Sequence, residues 1–267
     1  MKTLLDNWEE VKSQISFPFF LVSDYDGTLT PIMDRPDEAD LSGGMRENLA
    51  QLSELTNVAI VSGRKLSDLK KRVGVEDIYY SGNHGFRIKG PGASFTKEEA
   101  ELTSPIISEI SREIKEKTRG IDGVIIEDKG LTASVHYRLV QESEVQELKQ
   151  LLEDLLESYQ EEGLIETMFG KKVLEIRPNL SWDKGKAVLW LLESVGIEDE
   201  GFVIYLGDDE TDEDAFQVIR NRGIGVLVSE EEMDSLAQYR LQDVKEVNTL
   251  LSRLIELLRD KKGKKHK

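Results

Sequence analysis

Four consecutive apolar residues, Phe19 to Val22, run directly into Ser23-Asp24-Tyr25-Asp26-Gly27-Thr28. So short an apolar run, with neither helical nor alternating period, predicts a strand buried on both faces. The pattern recurs. Val58-Ala59-Ile60-Val61 stops at Ser62-Gly63-Arg64, and Val203-Ile204-Tyr205-Leu206 stops at Gly207-Asp208-Asp209. Strands of this kind belong to parallel sheets whose two faces are covered by helices. Apolar residues at helical spacing fill the intervals, at 45–55, 66–73 and 182–195, and lie near both ends, at 3–15 and 244–259. Ile78-Tyr79-Tyr80 and Gly223 to Val228 supply further short strands. Strand and helix in alternation predict an α/β fold built on a doubly wound, Rossmann-like parallel sheet.

The rhythm breaks between Phe86 and Ile176. Helices at 97–118 and 143–161 alternate there with strands at 123–128 and 131–138, joined by a Lys129-Gly130 turn, and at 164–168 and 172–176. The predicted layout is a core made of residues 1–85 and 177–267, with an α+β cap domain, residues 86–176, inserted into it. At 267 residues the chain is long enough for both.

Side chains two apart in an extended segment share a face. Asp24 and Asp26 therefore converge at the carboxyl end of their strand, where open α/β sheets take ligands. Carboxylates held together repel unless a proton or a cation lies between them. Mg²⁺, a hard ion that takes carboxylate, phosphate and water oxygens, suits such a pair. An aspartate so placed can attack phosphorus while its neighbour moves a proton. By itself the segment reads equally well as an Asp-rich turn closed by Gly27.

The second acidic cluster, Asp208-Asp209-Glu210-Thr211-Asp212-Glu213-Asp214, follows the same kind of strand. Asp208 is the expected further metal ligand, with Asp209 and Asp212 supporting it from outside the ligand shell. Acids also gather at a helix start for capping alone. Ser62 offers a hydroxyl at a strand end, and the amides of the helix that follows can hold phosphoryl oxygens. Lys184 opens a helix, against the dipole. An anion would justify that position, although a lone lysine or serine reads as a surface or turn residue.

Charged residues make up 33% of the chain, and the formal net charge is −17. That acidity argues against nucleic acid as a partner, but not against a small anion gripped by a metal and local cations. With no cysteine in the chain, disulfides and thiolate metal sites are excluded. The start, Met1-Lys2-Thr3-Leu4-Leu5-Asp6, carries acid where a signal peptide needs an apolar run. No apolar stretch reaches membrane-spanning length, so a cytoplasmic monomer without membrane contact is expected. The basic end, Lys261 to Lys267, reads as a disordered, solubilising tail.

Taken in order, Asp24-Tyr25-Asp26-Gly27-Thr28, Ser62, Lys184 and Gly207-Asp208-Asp209-Glu210-Thr211-Asp212 resemble the four motifs of the haloacid dehalogenase (HAD) superfamily of phosphotransferases. The resemblance implies a HAD-like core with Asp24 as nucleophile and Asp26 as general acid/base. It implies Ser62 and Lys184 on the phosphoryl group, and Mg²⁺ on Asp24, the main-chain carbonyl of Asp26, and Asp208. Within that superfamily the chain is similar to the trehalose-phosphatase family. The phrases that carry this are Leu29-Thr30-Pro31-Ile32, Ser62-Gly63-Arg64, Gly82-Asn83-His84-Gly85, Glu127-Asp128-Lys129-Gly130, His136-Tyr137-Arg138 and Glu175-Ile176-Arg177-Pro178. Asn83 stands where an apolar residue is expected in many members. This resemblance implies Mg²⁺-dependent hydrolysis of trehalose 6-phosphate through an aspartyl phosphate. The implied partners are a small phosphorylated disaccharide and a trehalose-6-phosphate synthase of the same pathway.

Sugar hydroxyls are selected through paired hydrogen bonds, and the candidate substrate-binding residues are Arg64, His84, Glu127, Lys129, His136, Arg138, Glu175 and Arg177. His136 and Arg138 lie two apart on one strand, as do Glu175 and Arg177 on another, so each pair is expected to share a face. Cross-strand ion pairs on a solvated sheet would use the same residues. Sucrose phosphate or mannosyl-3-phosphoglycerate would suit the same core chemistry. A receiver-like phosphoacceptor would keep its phosphoryl group, which Asp26 speaks against. A binding-only relative would lack motif residues, and none is missing.

Overall fold

A computed structural model describes residues 1–265. They form two compact units, residues 1–95 with 182–265, and residues 96–181. The first unit begins with β1 (Lys2–Thr3), α1 (Trp8–Gln14), β2 (Phe19–Ser23), α2 (Gly43–Ser53), β3 (Asn57–Val61), α3 (Leu66–Val73), β4 (Tyr79–Gly82), β5 (Arg87–Gly90) and β6 (Ala93–Thr96). The second unit holds α4 (Glu98–Lys117), β7 (Ile125–Asp128), β8 (Ala133–His136), α5 (Glu142–Glu161), β9 (Ile165–Gly170) and β10 (Val173–Pro178). The chain then returns to the first for α6 (Lys184–Ser194), β11 (Phe202–Gly207), α7 (Glu213–Ile219), β12 (Gly223–Val228), β13 (Tyr239–Leu241) and α8 (Val244–Lys265).

The sheet of the first unit has the order β1-β13-β12-β11-β2-β3-β4-β5-β6. Neighbours from β1 to β4 run parallel, and β5 runs antiparallel to β4. From β2 the chain steps outward through β3 and β4; from β11 it steps the other way through β12 and β13. The change of direction falls between β2 and β11, the topological switch point at which such sheets bind ligands.

Burial on both faces explains why these strands read as unbroken apolar runs. Phe19 and Leu21 pack one way, against Met45, Leu49, Leu250 and Leu254. Phe20 and Val22 pack the other way, against Val188, Leu191 and Phe216. Each such side chain contributes roughly 1.5–3 kcal/mol by leaving water.

The sheet continues through β5 and β6 rather than ending at Gly85. β5 has one fully buried apolar residue, Ile88, among Arg87, Lys89 and Gly90, too little pattern to read as a strand. β13 is equally terse, as Tyr239-Arg240-Leu241. The tail expected to be disordered is instead helical as far as Lys265, where α8 ends. It is docked by its own lysines: the Lys261 ammonium donates to the Ile15 carbonyl, and that of Lys262 to the Glu54 carbonyl at 3.1 Å. The rest of that expectation, His266 and Lys267, lies outside the described residues.

In the second unit, β7-β8-β10-β9 form an antiparallel sheet. One face carries Ala133, Val135, Leu174 and Ile176, packed on Ile107, Ile110 and Ile114 of α4 and Leu148 and Leu152 of α5. The opposite face carries Glu127, Ser134, His136, Glu175 and Arg177 beside Ile125, Met168 and Val173. Among the described residues no helix is long and apolar enough to cross a membrane.

Candidate active site

The carboxyl ends of β2, β3 and β11 bring the acidic and polar residues of the motifs together. The Asp24 amide donates to the Leu206 carbonyl at 2.8 Å, which ties the end of β2 to the end of β11. Beyond it the chain turns tightly, with the Gly27 amide on the Thr30 carbonyl at 2.8 Å and the Leu29 amide on that of Tyr25 at 2.9 Å. Gly27 has φ +82°, and a Cβ there would collide with the Asp208 carboxylate. Both the conformation and the close approach require glycine.

Lys184 is the centre of the charge arrangement. It is the first residue of α6, whose N-cap, Asp183, accepts the Lys186 amide at 2.8 Å. Its ammonium donates to Asp24 Oδ1 at 2.9 Å and Asp212 Oδ1 at 2.8 Å, with Asp209 Oδ1 at 3.9 Å. Lys184, Asp24, Asp208 and Asp212 are all buried. Burial opposes the lysine charge, but the attraction of Asp212 and Asp24 outweighs it and holds the ammonium well above its ordinary range. For Asp24, burial pushes the carboxyl well up; Lys184 pulls it down, while Asp212 and Asp208 push it further up. Asp24, Asp208 and Asp212 ionised around one ammonium would leave two negative charges in a buried place, which calls for a cation.

Asp212 is saturated. Its Oδ1 accepts from Lys184 and from the Tyr205 hydroxyl at 2.7 Å, and its Oδ2 accepts from the amides of Asp208 at 2.9 Å and Asp209 at 3.1 Å. Oxygens of Asp24, Asp208 and Asp212 lie within 4.8 Å of one another. With both Asp212 oxygens committed to donors, Asp24 and Asp208 are the carboxylates suited to hold a cation, and hard oxygen donors suit Mg²⁺. Tyr205 went unnoticed in the sequence. The available signal was a single hydroxyl in an otherwise apolar strand.

Ser62 is buried at the end of β3, where its amide donates to the Ser81 carbonyl at 2.9 Å and its hydroxyl accepts the Arg64 amide at 3.1 Å. Beside it Asn83, His84 and Gly85 all take positive φ, at 52°, 53° and 97°. Asparagine tolerates the left-handed region better than an apolar residue does, which accounts for Asn83. The turn directs the buried His84 ring onto the Ser62-Gly63 bend, where a Cβ on Gly63 would sit 2.6 Å from Nε2. Asp26 is set apart from the lysine cluster, on Arg64, whose Nε and Nη2 each donate to one of its oxygens at 2.7 Å.

The sheet face opposite α4 and α5 gathers most of the second unit's candidate residues. Glu127, Ser134 and Glu175 are cross-strand neighbours. Glu175 accepts from the Ser134 hydroxyl at 2.8 and 2.9 Å and from Lys129 at 3.4 Å. His136 Nε2 bonds Glu127 Oε2 at 2.7 Å, and Arg177 pairs with Glu166 at 3.1 Å. Ser134 was missed in the sequence, although alternation along Ala133-Ser134-Val135-His136 sets it beside His136. Arg138 lies two residues beyond the end of that strand. β8 ends at His136, opposite Val173 where β10 begins, and Arg138 donates to the Lys171 carbonyl at 2.7 Å.

A profile of the family described as trehalose-phosphatase matches residues 22–245. The chain is 42% identical over 246 residues to probable trehalose-phosphate phosphatase E of Arabidopsis thaliana, covering 87% of this chain and 69% of that protein. It spans about two thirds of the length of the plant relatives it matches. The fold is similar to the C-terminal domain of C. albicans trehalose-6-phosphate phosphatase, with TM-score 0.77, 26% identity and 95% of each chain covered. A haloacid dehalogenase-like hydrolase from Bacteroides thetaiotaomicron shares the fold at TM-score 0.61 and 18% identity, over 88% of this chain and 98% of that one. By this match, and with the HAD-like fold it carries, the chain belongs to the trehalose-phosphatase family.

Proposed function

We propose that the chain hydrolyses trehalose 6-phosphate to trehalose and inorganic phosphate, with Asp24 as nucleophile. The observation that carries this reading is the buried Lys184–Asp24 pair at the switch point of the sheet, with Asp208 beside it. An Asp24 oxygen attacks phosphorus, the bond from phosphorus to the sugar oxygen breaks, and Asp26 gives that oxygen its proton. A water then loses a proton to Asp26 and attacks the phosphorus of the aspartyl phosphate; the bond to Asp24 breaks and its carboxylate returns. Lys184 offsets charge on the phosphoryl oxygens, and the Ser62 hydroxyl donates to one of them. Mg²⁺, held by Asp24, Asp208 and the Asp26 main-chain carbonyl, would supply charge neutralisation at those oxygens.

Residues 96–181 serve as the specificity cap in this reading, through Glu127, Lys129, His136, Glu175 and Arg177. Glu175→Ala should raise KM for trehalose 6-phosphate about 10–100-fold, the value of a hydrogen bond to a charged group, and leave turnover of p-nitrophenyl phosphate near wild type. Steady-state kinetics on both substrates checks this. For the metal, thermal melts give a readout independent of turnover. Mg²⁺ at 100 times its Kd should stabilise the wild type by about 2.7 kcal/mol, and Asp208→Asn should lose most of that shift. Acid quenching during turnover tests the nucleophile: the phosphoryl group should be found on Asp24, and finding it on another residue would overturn the mechanism.

A further inference from the structure

Arg64 has the position of a substrate contact in sequence, yet its guanidinium is committed within the first unit. Nε and Nη2 take the two oxygens of Asp26, Nη2 also reaches the Pro36 carbonyl at 2.8 Å, and Nη1 reaches Asp68 at 3.0 Å. Arg72 Nε grips the same oxygen of Asp68 at 2.8 Å. The guanidinium carbon lies 5.3 Å from the centre of the Tyr25 ring, whose hydroxyl is itself tied to the Ala39 carbonyl at 2.8 Å. The two ends of the pair differ in exposure: the Arg64 side chain is 9% exposed and that of Asp26 is 38% exposed. Arginine is the buried, anchored half and the carboxylate is the half that meets solvent.

A bidentate fork fixes more than distance. Two parallel N–H bonds set the plane of the carboxylate and so the direction of its lone pairs. A proton moved to or from an atom beside Asp24 needs that direction, because the transfer tolerates little misplacement. We propose that Arg64 is a positioning residue, which orients the Asp26 carboxylate for both proton transfers and makes no contact with substrate. The proposal rests on Asp26 being the acid/base. Asp68 and Arg72 brace the guanidinium from behind, and the Pro36 carbonyl closes its outer edge.

The test compares leaving groups. A sugar oxygen needs a proton as it departs, whereas p-nitrophenolate does not. In Arg64→Lys, which keeps the charge and loses the fork, single-turnover cleavage of trehalose 6-phosphate should fall about 10²-fold. The burst of p-nitrophenolate from p-nitrophenyl phosphate should stay within about 3-fold of wild type, because that step needs no proton from Asp26. Its steady-state turnover should still fall, since water must give a proton to Asp26. A merely structural role would depress both bursts together. Asp68→Asn leaves Arg64 in place and loosens its brace, so it should give a smaller split of the same sign even if Arg64→Lys folds poorly. Equal losses on both substrates in folded protein, or no loss, would overturn the proposal. Asp26→Asn run in parallel separates the two readings. If it too treats both substrates alike, the acid/base assignment fails; if it discriminates and the Arg64 and Asp68 variants do not, the positioning role alone fails.

Discussion

Asp24→Asn should abolish turnover and leave the metal-free protein at least as stable as the wild type. An amide cannot form the acyl phosphate, and loss of a nucleophile typically lowers turnover by about 10⁴–10⁶-fold. The amide carbonyl still accepts the Lys184 bond that now ends on Oδ1 at 2.9 Å, so Lys184 keeps that partner, and the new amide N–H groups face the carboxylate oxygens nearby. What disappears is a buried negative charge facing Asp208 and Asp212. The pH dependence follows from the sign of the shift. Folding raises the Asp24 carboxyl above its ordinary 3.8, chiefly through burial, so its ionisation opposes folding. That penalty is absent below about pH 3.8, where both states are protonated, and grows as pH rises through the folded value. The advantage of Asp24→Asn in EDTA should therefore be nil in acid and increase as pH rises above about 3.8. Melting curves at several pH values, paired with phosphate-release assays, check both halves.

Lys184→Met should do the opposite to stability. Methionine has nearly the length of lysine and no charge, so it would leave Asp24 and Asp212 buried without their shared cation. Removing one partner of a buried pair costs about 3–5 kcal/mol, which for a chain of this size lowers the melting temperature on the order of 10 °C. Mg²⁺ should restore part of the loss by neutralising Asp24 and Asp208, and the restoration should vanish in the double variant with Asp208→Asn. Turnover should not return with stability, because no ammonium faces the phosphoryl oxygens. Calorimetry with Mg²⁺ and with EDTA distinguishes this from loss of a surface lysine, which would move stability by only a few tenths of a kcal/mol.

The parallel core was legible because Phe19 to Val22, Val58 to Val61 and Val203 to Leu206 are buried on both faces, and such burial leaves a continuous apolar run. β5 and β13 were not legible because short strands near the rim of the sheet bury one or two side chains and alternate too briefly to register. The edge of the first unit was misplaced toward Gly85 for that reason. At the site, Asp24, Asp208 and Lys184 stood out because charge at the end of a buried strand or the start of a helix is costly without a purpose. Tyr205 and Ser134 did not, because a hydroxyl in a strand has no distinguishing local pattern, and its role appears only when Asp212 or Glu175 comes within reach across the fold. Arg64 was recognised by its motif, but the partner of its guanidinium was not. Nothing in Ser62-Gly63-Arg64 says that the guanidinium turns to Asp26, 38 residues earlier in the chain, rather than to a ligand.

The most direct test of the account is phosphate release from trehalose 6-phosphate, sucrose 6-phosphate, glucose 6-phosphate and mannosyl-3-phosphoglycerate, with Mg²⁺ and with EDTA. The account predicts release that requires the metal, is led by trehalose 6-phosphate, and is absent in Asp24→Asn. Metal-dependent release led by another sugar phosphate would contradict the reading of the cap, and no release from any of them by the folded, Mg²⁺-loaded protein would contradict the phosphatase itself.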